Sequence, residues 1–196
     1  CFHMPNLITT SFTDVDLDAL AGFEGRVALI VARDGKLDAS ARRVNRLSKG
    51  AIARVIDAGK LEEAQAGSII TLAYPAGMAA QAVDILCLDR RPSTQDARKA
   101  GAALGKAWGE GAALLCAGSN TKAAQIVMGT AMRAYDFTSH KSDRETKERA
   151  LRVMCSKPDD VKAETTPLLA IAEGAHMTRD LVNEPANVLT TTEFAA

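Results

Sequence analysis

Val27-Ala28-Leu29-Ile30-Val31-Ala32 runs apolar without a break and is followed by Asp34-Gly35. A continuous run of aliphatic residues ended by a turn signal is the pattern of a strand buried on both faces, as in a parallel sheet. Similar stretches recur along the chain. Val83–Leu88 (VDILCL), Ala112–Ala117 (AALLCA) and Leu151–Cys155 (LRVMC) read the same way, and Leu7–Phe12 and Ile69–Tyr74 add two more strands. Pro75-Ala76-Gly77 lies between two of these runs and reads as a turn, which makes them an antiparallel pair.

Helical patterns alternate with the strands. Ala39–Leu47 and Ala51–Asp57 are short, with Gly50 between them and Gly59 as a stop. Thr94–Trp108 starts at a Ser93 or Thr94 cap with Asp96 in its first turn, and its small residues Ala97, Gly101, Ala102 and Gly105 imply close packing on a sheet. Ser119–Tyr135 has one apolar face. The last helix starts near Pro158 and runs toward Leu181. Its apolar stripe is Leu168, Ile171, Ala172, Ala175 and Val182, and Thr165-Thr166-Pro167 is expected to break it or to supply a second N-terminus. Strands interleaved with helices predict an α/β fold, a mixed and mostly parallel sheet of about six strands between helices.

The composition excludes several classes. The 196 residues carry 24 Lys+Arg and 24 Asp+Glu, with 47% hydrophobic and 4% aromatic residues. Apolar content is too high and net charge too low for a disordered chain. A neutral chain without a basic stripe disfavours a nucleic-acid partner. No run approaches the ~18 uncharged apolar residues of a membrane span, and the start lacks a signal peptide, so the expected location is the cytoplasm. Met4 is the expected native start, with residues 1–3 extraneous. Cys1, Cys87, Cys116 and Cys155 show no metal-ligand spacing, and the last three sit in apolar runs as buried thiols. His3, His140 and His176 are scattered, and no Asn starts an N-x-[ST] sequon.

Four stretches invite a chemical reading. Gly118-Ser119-Asn120-Thr121 follows a strand and could cradle a phosphate at a helix N-terminus, but it matches no phosphate-binding fingerprint and reads as a turn and cap. Trp108-Gly109-Glu110-Gly111 reads as a helix stop. Asp14, Asp16 and Asp18 alternate but lack the EF-hand glycine and glutamate, so they read as an exposed strand face or a helix start. Ser139–Arg149 mixes acids and bases and reads as a solvated connector.

The C-terminal run Thr178–Thr190 (TRDLVNEPANVLT) is far more specific. It closely resembles the opening of the catalytic domain of the leucyl aminopeptidase (cytosol aminopeptidase) family. Phe194-Ala195 continues the pattern, with Thr191 where the family usually has Pro. Arg133–Phe137 with Lys141 resembles the family's tyrosine–phenylalanine–lysine motif, with His140 in a position usually held by Tyr. Ala97–Leu104 resembles the helix after the family's central strand, whereas Cys87-Leu88-Asp89-Arg90 replaces a common Gly-Leu-Gly.

The resemblance implies a macro-domain-like N-terminal α/β domain over residues 4–157. Residues 158–196 are then an interdomain helix and the truncated start of a catalytic domain. It also implies a hexameric exopeptidase that removes N-terminal residues from peptides with two divalent metals, manganese, zinc or magnesium, in the catalytic domain. There the metals activate water and polarise the scissile carbonyl. No residue of this chain is expected to be catalytic, cofactor-binding or metal-ligating, so the piece alone is expected to be inactive and to serve assembly and active-site access. Its expected partners are its own catalytic domain, sister subunits and, at that domain, a peptide. Asn183, Glu184, Pro185, Asn187 and Thr190 read as helix end and junction, and Arg179 and Asp180 as a pair across the domain interface. The alternative is a stand-alone module that binds ADP-ribose or a related nucleotide at Gly118–Thr121.

Overall fold

The apolar stretch around Val27 lies inside the sheet, with a parallel neighbour on each side. A computed structural model of the chain describes residues 8–135 and 148–183. In chain order the elements are β1 (Thr9–Thr13), α1 (Ala19–Gly22), β2 (Arg26–Val31), α2 (Ala39–Leu47), α3 (Ala51–Asp57), α4 (Lys60–Glu63) and β3 (Ile69–Ala73). They continue with β4 (Ala82–Cys87), α5 (Thr94–Ala107), β5 (Gly111–Gly118), α6 (Ala123–Arg133), β6 (Arg149–Cys155) and α7 (Pro158–Asn183). The strands form one sheet in the order β1-β6-β5-β2-β4-β3. Every neighbouring pair is parallel except β3 with β4, which are antiparallel as the Pro75–Gly77 turn predicts.

Side chains alternate across the sheet with the period of a strand. Val27, Leu29, Val31, Val83, Ile85, Leu114 and Cys116 point to one face, where Leu20, Val44, Ile52 and Leu61 from α1–α4 cover them. Ala28, Leu86, Ala113, Leu115, Leu151 and Val153 point to the other, under α5, α6 and α7. Both faces being covered explains why these strands read as unbroken apolar runs. One polar group interrupts them. Asp84 in β4 is fully buried, and it accepts from Arg26 Nε and Nη2, both at 2.7 Å, and from Thr71 Oγ1 at 2.6 Å. This bidentate pair ties β2, β4 and β3 together in the sheet interior.

Several boundaries differ from expectation. The first strand is Thr9–Thr13, starting two residues and ending one residue later than Leu7–Phe12. The segment from Ser119 to Lys122 is a turn rather than helix: Gly118 has φ 54°, and Asn120 Oδ1 accepts from Lys122 N at 2.8 Å. The α5 cap is Ser93, whose hydroxyl accepts from Asp96 N at 3.0 Å. Asp16 Oδ1 accepts from Asp18 N and Ala19 N, which makes Asp14–Asp18 a helix start.

The last helix is one unbroken element, with Pro167 inside it. Ala163 and Pro167 are both exposed, so the carbonyl that loses its helical donor faces water. The Thr165 and Thr166 hydroxyls donate back to the Val161 and Lys162 carbonyls within the helix. The expected stripe is divided: Ala172 is buried, but Ile171 and Val182 are exposed.

Candidate functional site

Two places on the domain concentrate polar groups. The first follows from topology. β2 and β5 are parallel neighbours, yet the chain leaves β2 for helices on one face and β5 for α6 on the other. The two connections diverge, and a crevice opens beyond the carboxyl ends of the strands. This cleft holds about 250 Å³ and is edged by Lys36, Asp38, Arg90, Ser119 and Asn120. It contains the loop singled out above as a phosphate cradle.

The residues present do not make a cradle. The Asp38 carboxylate caps α2, accepting from Ala41 N at 2.7 Å. The same carboxylate approaches Gly118 so closely that a Cβ there would stand 3.3 Å from Oδ2. Burial pushes the Asp38 carboxyl up, while the Ala41 N–H and the Arg42 charge pull it down. Asn120 turns its oxygen onto Lys122 N, and its own N–H donates to the Ala117 carbonyl at 3.0 Å. Asn120 therefore closes the loop's own turn, and the Asp38 carboxylate lies close against Gly118, which disfavours an anion there. Lys36 and Arg90 edge the cleft, and Lys36 Nζ pairs with Asp34 Oδ2 at 3.5 Å.

The second place is where α6 ends against α7. The Tyr135 hydroxyl donates to Asp180 Oδ1 at 2.6 Å and accepts from Asn183 Nδ2 at 3.2 Å. The Arg179 guanidinium lies 5.4 Å from the Tyr135 ring centroid and donates to the Met132 carbonyl at 3.1 Å. His176 is buried beneath, its ring centroid 5.0 Å from that of Tyr135. Neither imidazole nitrogen has a hydrogen-bond partner among the described residues. Burial lowers the His176 pKa below its ordinary value, and the Arg179 charge adds to the effect. Burial, and then the Asp180 hydrogen bond, raise the Tyr135 phenol. Arg179 and Asp180, expected to pair across a domain interface, reach from α7 to the Met132 carbonyl and the Tyr135 hydroxyl at the end of α6. The cluster clamps α7 in place and contains no activated nucleophile.

Elsewhere, burial pushes the Cys87, Cys116 and Cys155 thiols up, which leaves them unreactive. Among the described residues no group of three or more His, Cys, Asp or Glu side chains could hold a metal ion. No described helix is long and apolar enough to cross a membrane. Asp136, Phe137, His140, Lys141 and the run from Glu184 to Ala196 lie outside the described residues, as do Cys1 and most of the charged run Ser139–Arg149. The Arg26–Asp84–Thr71 cluster was not foreseen, although an aspartate as the second residue of the apolar run VDILCL is the signal that could have found it.

The cytosol aminopeptidase family, N-terminal domain, matches residues 28–144, more than half of the chain. The chain belongs to the cytosol aminopeptidase family. It is 44% identical over 192 residues to a "probable cytosol aminopeptidase" of Dinoroseobacter shibae, covering 98% of this chain and 39% of that protein. A second, from Cereibacter sphaeroides, is 42% identical and is covered to 40% of its length. The chain thus spans well under half the length of these relatives. Among solved structures, a variant of tomato leucine aminopeptidase superposes with a TM-score of 0.71 at 16% identity, over 98% of this chain and 42% of that one. The bottromycin maturation enzyme BotP gives a TM-score of 0.59 at 22% identity, over 87% of this chain and 35% of that one. The cytosol aminopeptidase N-terminal domain therefore has the mixed six-stranded α/β architecture expected of it, and nothing in the comparisons favours the stand-alone nucleotide-binding module.

Proposed function

We propose that this domain is the non-catalytic N-terminal part of a metal-dependent exopeptidase that releases N-terminal amino acids from peptides. The family match over residues 28–144, on a chain that covers 39–40% of its aminopeptidase relatives, carries this reading. In it, residues 4–157 form the domain, α7 leads out of it, and residues 184–196 begin the catalytic part. Two divalent ions, manganese, zinc or magnesium, would be held by residues beyond this chain, where they supply an activated water and a polarised scissile carbonyl. None of the described residues fits that role. The domain serves assembly with sister subunits, as a hexamer, and shapes access to the active site in the cytoplasm.

The test is hydrolysis of a chromogenic leucine amide with added manganese. The 196-residue chain should release no chromophore. The longer polypeptide should release it, and a chelator should stop the reaction. Cleavage by the 196-residue chain, or none by the longer one, overturns the proposal.

A further inference from the structure

Helix α7 has two apolar stripes, and only one of them is fully packed among the described residues. Thr165, Leu169, Ala172 and His176 face inward, with Ala172 fully buried and Leu169 packed against the core. Leu168, Ile171, Ala175, Thr178 and Val182 recur at heptad spacing on a second stripe. Adjacent residues of a helix differ by roughly 100° in direction, so a stripe through Ile171 cannot share the face of Ala172. Ile171 is 57% exposed and Val182 79%. A dimerising or docking helix repeats its apolar residues in this way when a partner lies along it.

A glycine gives the second, independent sign. The interior glycines of α5 and α6 are each explained by a close neighbour. A Cβ on Gly105 would stand 2.8 Å from the Thr130 carbonyl oxygen, and one on Gly101 would stand 2.8 Å from Thr130 N and nearer still to the Ile126 carbonyl. Gly129 meets the Arg98 carbonyl in the same fashion. Gly174, in the middle of α7 beside the outer stripe, has nothing within 4 Å. Glycine weakens a helix interior, and nothing inside this domain requires one at that point.

We propose that the outer seam of α7, Leu168, Ile171, Ala175 and Val182 with Gly174 at its edge, is the docking face for the domain that follows Asn183 in the same polypeptide. The proposal rests on the reading of this chain as the N-terminal part of a longer aminopeptidase. The occupant is chosen on connectivity. The seam runs to the end of α7, the match is to the family's N-terminal domain, and more than half of the relatives' length lies outside the matched part. A domain joined to the end of α7 in the same polypeptide meets this face intramolecularly, an advantage a separate partner lacks. It therefore takes the part of this face that the described chain leaves open, Ile171 and Val182, with Leu168 and Ala175 half-buried beside them.

The test uses the longer polypeptide with Cys1→Ser and single cysteines at Ile171→Cys, Val182→Cys or Ala170→Cys. Ala170 is exposed and lies on neither stripe, Cys87, Cys116 and Cys155 are buried, and the longer polypeptide without an introduced cysteine sets the background labelling. In the folded protein, a thiol reagent should label positions 171 and 182 about tenfold or more slower than position 170. Equal rates overturn the proposal. Protection that disappears on dilution to monomers also overturns it, by assigning the seam to a second copy. Leucine-amide hydrolysis is measured on the same samples. Active protein with equal labelling rates removes the seam alone, whereas inactive protein with slow labelling removes the aminopeptidase reading alone.

Discussion

The seam between α5 and α6 and the outer face of α7 are built from the same materials, small residues and aliphatics on long helices, yet they end differently. At the first, Gly101, Gly105 and Gly129 let backbone meet backbone, and Arg98 Nε donates to Gln125 Oε1 at 2.8 Å across the rim. At the second, a Cβ on Gly174 would meet nothing within 4 Å, and Ile171 is more than half exposed. A close-packed helix pair is finished when the domain folds, whereas an equally apolar face left open is not. The most severe way to break the comparison is to add one carbon at the finished seam. Gly101→Ala should destabilise the domain by about 3 kcal/mol, because the obstructing atoms are backbone and cannot swing aside. Urea unfolding measures this. A loss below about 1 kcal/mol would mean that α5 and α6 slide apart easily and that the two faces are not different in kind.

The inner side of α7 lies between these extremes, since it is packed but carries a polar ring. His176 is held neutral by burial, and its folded pKa lies below the ordinary 6.5. Arg179, Asp180 and Tyr135 are the ionisable neighbours facing it. The unfolded chain therefore binds more protons below that value, so the contribution is fully present above pH 6.5 and fades as pH falls through it. Thermal unfolding between pH 7.5 and pH 5.5 should show a drop in midpoint that His176→Leu reduces. An unchanged slope in the variant would place the ring in contact with water or an acceptor, and would make α7 a looser partner of α6 than its burial implies.

The sheet was legible because both faces are covered: a strand with apolar neighbours above and below needs no alternation, and its run of aliphatics is hard to mistake. The β3–β4 hairpin was legible through Pro75 and Gly77, and the family through the run after Thr178. α7 was misread for a physical reason. Hydrophobic periodicity reports that a face avoids water, not what covers it. Leu168, Ile171, Ala172, Ala175 and Val182 therefore read as one stripe, when Ala172 belongs to the core and Ile171 and Val182 to the outside. Pro167 was misread because its ring and the freed Ala163 carbonyl face solvent, where an interrupted hydrogen bond is least harmful. At Gly118–Thr121 the turn residues were legible, but the placement of Asp38 against Gly118 depends on two strands adjacent in space and distant in sequence. The buried Arg26–Asp84 pair escaped for the same reason.

The mildest change gives the sharpest test of the comparison, because its sign depends on what is present. In the 196-residue chain, Gly174→Ala adds a methyl group to open space and removes backbone freedom from the unfolded state, so it should stabilise α7 by about 1 kcal/mol. Gly22, at the end of α1, is also open, but it lies where a helix terminates and a glycine is unremarkable there. Gly174 has no such position to explain it. If the following domain seats its backbone against α7 as α6 does against α5, the same methyl group meets that backbone in the longer polypeptide. Stabilisation should then turn to destabilisation, read as a fall rather than a rise in the unfolding midpoint of the longer protein. A rise of equal size in both forms would show that Gly174 faces solvent in each, and that α7 meets its neighbour through side chains alone.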